Sequence, residues 1–451
     1  MSEMQGLQAV AVAALPSRQS GIASALEDLA PVSFERDMAR RRIVTGMPHI
    51  DIGRQLREVQ RRHGVGPAQM IKEMGRLAAG PGYIGPSEYF IYRLFEQQRD
   101  FSEKLAFCGK RMERAMHGAC NDPYWVALAN DKLVTYSFLS AYGFPVPEVL
   151  AFYHPKGRPA PEGVVALGDG VDLDRFLRSI DRPLFGKPLD GYHSLGCVSM
   201  VGHDPDGDVV RLAFGQHVAV GTLRDYIERW GTNGYLIQER LNPHPDLAAR
   251  FGPTQSCVRM IVYLTPGGPE LAHAALKIPR GQNFADNSWR GNLISHVDIA
   301  TGAVTRVVSG GGMDQVSYVD HPDTGQRLLG LVLPNWHDVV RACLAGAASL
   351  PGLRTQAWDV AITERGPVLV EVNSKGNFSP PQIASGKGIL DERYKAHLQS
   401  CGYRERPLSV RVAHSLARRA ATGLKSLAHP PGRGPRHSDA LSRVPGRDSR
   451  S

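Results

Sequence analysis

Ala357-Trp358-Asp359-Val360-Ala361-Ile362, followed by Val368-Leu369-Val370-Glu371-Val372-Asn373, holds two β-rich runs around the turn Glu364-Arg365-Gly366. Strand side chains two apart share a face, so Glu371 and Asn373 should project together while Val370 and Val372 pack behind them. A hairpin would bring Asp359 alongside. Two carboxylates and an amide oxygen form part of an octahedral set whose remaining positions suit water and phosphate oxygens, the usual way to hold Mg²⁺ beside a nucleotide. By itself Glu-x-Asn fits an ordinary polar hairpin better than a metal site, and the upstream residues change that balance.

Outward from the hairpin, a helix is expected over 335–350, with β-rich runs at 258–265, 271–278 and 294–308, the last broken at Thr301-Gly302. Further upstream lie a helix from Lys132 to Tyr142 and strands near 149–153, 183–187 and 198–201. This texture predicts α/β or α+β layering with an antiparallel, hairpin-built sheet. Before residue 129 the apolar residues follow helical spacing: Ile52, Leu56 and Val59 share a face that Arg54, Arg57, Arg61 and Arg62 flank. The implied organisation is a disordered segment 1–40, a helical N-terminal domain 41–128, α+β subdomains 129–235 and 236–405, and a basic disordered tail 411–451.

The 451 residues carry a formal charge of +9. Residues 411–451 hold nine Lys/Arg against two Asp, so most of the excess sits in that tail and the rest is nearly balanced. No nucleic-acid partner is expected. The six cysteines are scattered without a Cys-x-x-Cys pair, which predicts neither a disulfide framework nor a zinc site and fits a reducing cytoplasm. The Ala/Val-rich stretch 7–15 lacks a basic leader, and no apolar run nears the ~20 residues of a membrane span.

Within this frame the chain resembles the ATP-grasp superfamily from about Asn130 to Asn377. It is most similar to the sugar-transfer-associated branch, with relatives among α-L-glutamate ligases. The resemblance rests on the hairpin and four further features. Asn130-Asp131-Lys132 opens a helix ending before Gly143-Phe144-Pro145, and Leu184-Phe185-Gly186-Lys187-Pro188 puts a lysine on a strand. Lys187 also has a physical reason, since a cation among apolar residues is costly without an anion. The loop Asp190-Gly191-Tyr192-His193-Ser194-Leu195-Gly196 follows; Tyr235-Leu236-Ile237-Gln238-Glu239-Arg240-Leu241 matches a hinge strand; and Arg259 and Lys277 stand within β runs.

The resemblance implies an ATP-grasp fold with ATP and Mg²⁺ (or Mn²⁺) as cofactors and Asp359, Glu371 and Asn373 as metal ligands. Lys132 and Lys187 would contact phosphates, and Gly191, His193, Ser194 and Gly196 would belong to the phosphate-covering loop. That loop is poorer in glycine than in relatives, and His193 either touches phosphate or is plain surface. Gln238, Glu239, Arg240 and Leu241 would border the adenine. Asp246 is either a ribose-binding acid or a helix N-terminal acid. Arg259 and Lys277 would be catalytic cations facing a buried anion, or partners of the metal-site carboxylates themselves. Asn287 and Arg290 fall on the substrate side.

No Gly-x-x-x-x-Gly-Lys-Ser/Thr loop or nucleophile elbow offers a rival site. The chemistry implied is activation of a small-molecule carboxylate as an acyl phosphate, for attack by an amine or similar nucleophile. A phosphotransferase and a non-catalytic nucleotide-binding module are the alternatives.

Overall fold

The computed structural model describes residues 50–190, 195–281, 283, 291–374 and 376–404. The two expected disordered ends, residues 191–194, and Asn287 and Arg290 lie outside them. Helices come first: α1 (Ile52–His63), α2 (Pro67–Ala79), α3 (Pro86–Ile91), α4 (Phe101–Leu105), α5 (Lys110–Cys120), α6 (Pro123–Asn130) and α7 (Lys132–Ala141). The last two meet at Asp131, which ends α6 and caps α7 by accepting from the Val134 N–H at 3.0 Å. Because the joint is one residue long, Lys132 is held at the first position of α7.

The first sheet comprises β1 (Val149–Tyr153), β2 (Val165–Leu167), β3 (Leu184–Pro188), β4 (Val198–Asp204), β5 (Val209–Leu212), β6 (His217–Ala219) and β7 (Tyr235–Glu239). Their order is β2-β1-β7-β3-β4-β5-β6, antiparallel except for the β1–β2 pair. Alternation divides its two faces. Tyr235 and Ile237 pack with Leu173 and Leu177 of α8 (Gly170–Arg178) and with Leu223 and Ile227 of α9 (Val220–Trp230). Leu236 turns the other way, joining Phe152 and Leu189 against Leu133 and Tyr136 of α7. Lys187 pairs with Leu236 and Phe185 with Gln238, so all four lie on the α7 side.

After α10 (Pro245–Phe251) the second sheet is built from β8 (Cys257–Thr265), β9 (Gly268–Ile278), β10 (Leu293–Val297), β11 (Val304–Ser309), β12 (Val316–Tyr318), β13 (Thr355–Thr363) and β14 (Gly366–Asn373). It is antiparallel throughout, in the order β12-β11-β10-β9-β8-β13-β14. One face, with Val258, Met260, Val262, Trp358 and Val360, packs on Val339, Cys343 and Ala347 of α11 (Trp336–Ala348). Each such fully buried aliphatic side chain stabilises by roughly 1.5–3 kcal/mol.

Across the opposite face, Ile261, Tyr263 and Ala357 meet Met112, Met116 and Cys120 of α5 and Tyr394 and Leu398 of α13 (Glu392–Ser400). The shorter α12 (Ser379–Ser385) packs there too, Ala384 meeting Ala275, Ile294 and Val308. Helix α5 therefore shares a core with the second sheet, while Val59 of α1, Met70 and Met74 of α2 and Tyr89 of α3 belong to a separate cluster.

Candidate active site

On β13 the alternation that buries Trp358 and Val360 against α11 turns Ala357, Asp359 and Ala361 to the other face. Asp359 lies opposite Arg259 on one side and Glu371 on the other, while Asn373 lies opposite Ala357. The ladder then slips: Asp359 pairs with Glu371 but Val360 with Leu369, leaving Val370 as a β-bulge. Val370 is thus not the residue backing Glu371. It packs beside Cys257, Ala361 and Val368, while Val372 and Leu369 face α11. The bulge turns the Val370 carbonyl outward, where it accepts a hydrogen bond from the Tyr136 hydroxyl.

Asp359 is bound bidentately by Arg259, Nε to Oδ1 at 2.7 Å and a terminal guanidinium nitrogen to Oδ2 at 2.9 Å. Lys277 Nζ stands 3.4 Å from Oδ2. It gets there diagonally from β9, past Ala275, whose small side chain lies opposite Arg259. Burial alone would push this carboxyl up, but Arg259 and Lys277 hold it down to about 2. Both cations thus pair with the metal-side carboxylate, one of the two arrangements the sequence left open.

From the first sheet and its covering helix come two more lysines. Lys132 Nζ donates to the Leu189 carbonyl at 2.9 Å and stands 3.3 Å from Glu371 Oε1. Lys187, only 7% exposed, donates to the Tyr136 hydroxyl at 2.7 Å. Burial lowers its pKa, against the raising pull of Glu371 and Asp359. Tyr136 stays neutral, its phenol pushed up by burial first and by Glu371 second. It escaped the sequence reading although it lies one turn from Lys132, on the same face of α7.

Ala129, Asn130, Lys132, Asp190, Glu371, Val372, Asn373 and Ser374 line an open recess of about 350 Å³. Asp190 at its rim accepts from Asn233 at 2.8 Å. Gly196, which ends the loop region, has φ +73°, and a Cβ there would come within 2.7 Å of Pro188 and Trp230, so no side chain fits. Its carbonyl accepts from the Tyr235 hydroxyl at 2.7 Å. Gly191, His193 and Ser194 fall outside the described residues.

At the hinge strand, Glu239 accepts from the Glu148 N–H at 2.9 Å and from the Arg365 guanidinium. The Arg240 N–H is taken by the Pro183 carbonyl at 3.2 Å, and Leu241 packs against Cys257, Ala361 and Val368. Gln238 differs: it is 3% exposed, and its Oε1 is buried without a hydrogen-bond partner. Asp246 sits in the first turn of α10, its carboxylate exposed and 3.8 Å from His244 Nδ1.

Whether the hairpin suits a divalent cation can be judged from its donors. Asp359, Glu371 and Asn373 offer hard oxygens. A carboxylate has about four acceptor positions, of which Arg259 and Lys277 use three on Asp359. The Asn373 amide nitrogen is buried without a partner. Since amide N and O exchange by a flip, that position serves equally as an oxygen facing a cation. The residues fit Mg²⁺.

Two antiparallel-rich sheets, one side bringing Lys132 and Lys187 and the other Asp359 and Glu371, define an ATP-grasp protein. The sequence pattern described as sugar-transfer associated ATP-grasp matches residues 111–397, and the chain belongs to that family. Among solved structures it is similar to the ATP-grasp ligase PsnB complexed with a minimal precursor, at 16% identity over 66% of this chain and 71% of that one, TM-score 0.33. D-alanyl-alanine synthetase A from Vibrio cholerae is similar at 12% identity, 65% and 68% coverage and TM-score 0.36. The L-amino acid ligase from Bacillus licheniformis follows at 11%, 66% and 53%, TM-score 0.34. No curated protein matches the sequence. Among the described residues no helix is long and apolar enough to cross a membrane.

Proposed function

We propose that the protein is an ATP- and Mg²⁺-dependent ligase that activates a small-molecule carboxylate as an acyl phosphate, for attack by an amine or similar nucleophile. The carrying observation is the convergence of Lys132, Lys187, Arg259 and Lys277 on Asp359 and Glu371. Buried cations gathered at one cleft suit a polyphosphate. Mg²⁺ held by Asp359, Glu371 and Asn373 would supply neutralisation of phosphate charge.

The chain's own residues do the positioning. Lys187, desolvated and resting on the neutral Tyr136, is a donor with no carboxylate of its own and turns readily to a phosphate oxygen. Lys132 neutralises Glu371 until the polyphosphate arrives, and Arg259 keeps Asp359 ionised and fixed in rotamer. Gln238, with its free acceptor beside the hinge, would receive the amino group of a purine.

ADP release across pools of carboxylates and amines, with Glu371→Gln as control, tests the assignment. The variant should keep its thermal unfolding temperature and lose about 10²–10³ in turnover. Full activity in that variant would overturn the reading. ¹⁸O-labelled carboxylate that passes no label into inorganic phosphate would point to a phosphotransferase instead.

A further inference from the structure

Three residues that the ATP cleft does not use meet at the other end of β13 from Asp359. Cys120 is the last residue of α5, and His397 and Cys401 stand one turn apart at the end of α13. One ligating atom from each lies within 4.8 Å of the other two. Cys401 Sγ is 3.7 Å from His397 Nε2. For a tetrahedral centre with bonds of about 2.3 Å to sulfur and 2.0 Å to nitrogen, an S···N separation of about 3.5 Å is expected. The cluster is therefore close to coordination geometry before any ion is added.

From this the geometry points to a second metal site, in which Cys120, Cys401 and His397 bind a borderline-soft divalent cation of the zinc class. Scattered cysteines without a Cys-x-x-Cys pair gave no sign of it, because its ligands come from positions 120 and 397–401. Two thiolates and a neutral imidazole around a dication sum to zero charge, which suits a site where Cys120 and His397 are each 3% exposed. Binding releases two thiol protons to solvent. Cys401 is partly exposed and provides the way in.

The Thr355 hydroxyl, 2.9 Å from His397 Nε2, is at hand for the fourth position, or yields it to water. Parallel stacking on Tyr263, 4.6 Å between ring centres, holds the imidazole plane. Nε2 faces the Thr355 hydroxyl and Cys401 Sγ and would turn its lone pair to the ion with the ring proton on Nδ1, which is buried with no hydrogen-bond partner. The effect of the ion is mechanical. It would fasten the ends of α5 and α13 to Thr355, the first residue of the strand that carries Asp359.

Cobalt(II) titration of the reduced full-length chain, with free thiols counted beforehand, tests the site. The wild type should take up about one equivalent with thiolate-to-cobalt charge-transfer absorption and the visible bands of a tetrahedral ion. Cys120→Ser and Cys401→Ser should each weaken binding by at least about tenfold and lose part of the charge-transfer intensity. Removing metal with a chelator should lower the unfolding temperature of the wild type and leave that of folded Cys401→Ser unchanged. Absence of absorption with thiols reduced, or equal absorption in both serine variants, would overturn the site. So would a Cys120–Cys401 disulfide with no metal uptake after its reduction.

Discussion

The two faces that meet at the cleft settle their polar groups in opposite ways. On the second sheet Arg259 and Lys277 occupy three of the acceptor positions of Asp359, and the carboxylate is ionised and immobile before any ligand arrives. On the first sheet Lys187 leans on one phenol, and Gln238 Oε1 has nothing at all. One wall is thus largely balanced on its own, the Asn373 amide excepted, whereas the other carries a deficit that a bound molecule relieves. Finished groups should govern stability and unfinished ones affinity.

The sharpest way to break this comparison is Asp359→Asn. It strands two cations in a buried site and should cost about 3–5 kcal/mol in denaturant unfolding. A change below about 1 kcal/mol would mean that the second sheet is not balanced internally. Acid offers a gentler probe. The folded pKa of Asp359 is depressed to about 2, so its contribution of about 2 kcal/mol is complete above the unfolded carboxyl value and lost as pH falls from about 4 through 2. Stability of the Asp359→Asn variant should lack that part of the acid slope.

Gln238→Leu sharpens the other side. Removing an unsatisfied acceptor should leave stability unchanged or raise it by up to about 1 kcal/mol, while Mg-ATP affinity by calorimetry falls about tenfold. Loss of stability with unchanged affinity would place Gln238 among the finished groups. Smallest of all is Arg365→Ala. This half-exposed guanidinium joins the hairpin turn to Glu239 across the two sheets, and its loss should change unfolding by less than about 1 kcal/mol.

Much of the fold was legible because the decisive residues are local in character. The β13–β14 hairpin announces itself through alternation and the Glu364-Arg365-Gly366 turn, and α7 through its Asp131 cap. The Val370 bulge was not legible, since an extra residue in a valine-rich strand leaves the composition unchanged. Nor was Tyr136, whose aromatic ring reads as core until Lys187 is seen beneath its hydroxyl. For Asp246 the chain shows a helix start and no more. The packing of α5 on the second sheet was hidden for another reason: an apolar helix face states that it is buried but not against what.

One feature of the second sheet bears on how the protein comes into being. β8 is flanked by β9, its immediate successor in the chain, and by β13, whose Asp359 lies 100 residues beyond Arg259. During synthesis the β8–β9 hairpin emerges early, while β13 is still to be made. For that interval β8 is an open sheet edge bearing Val258, Met260, Ile261 and Val262, a template for pairing with another chain. Arg259, still without its carboxylate, places a charge in the middle of that edge, and charges so placed oppose edge-to-edge association. The same guanidinium that later secures Asp359 is thus a guard on the nascent chain.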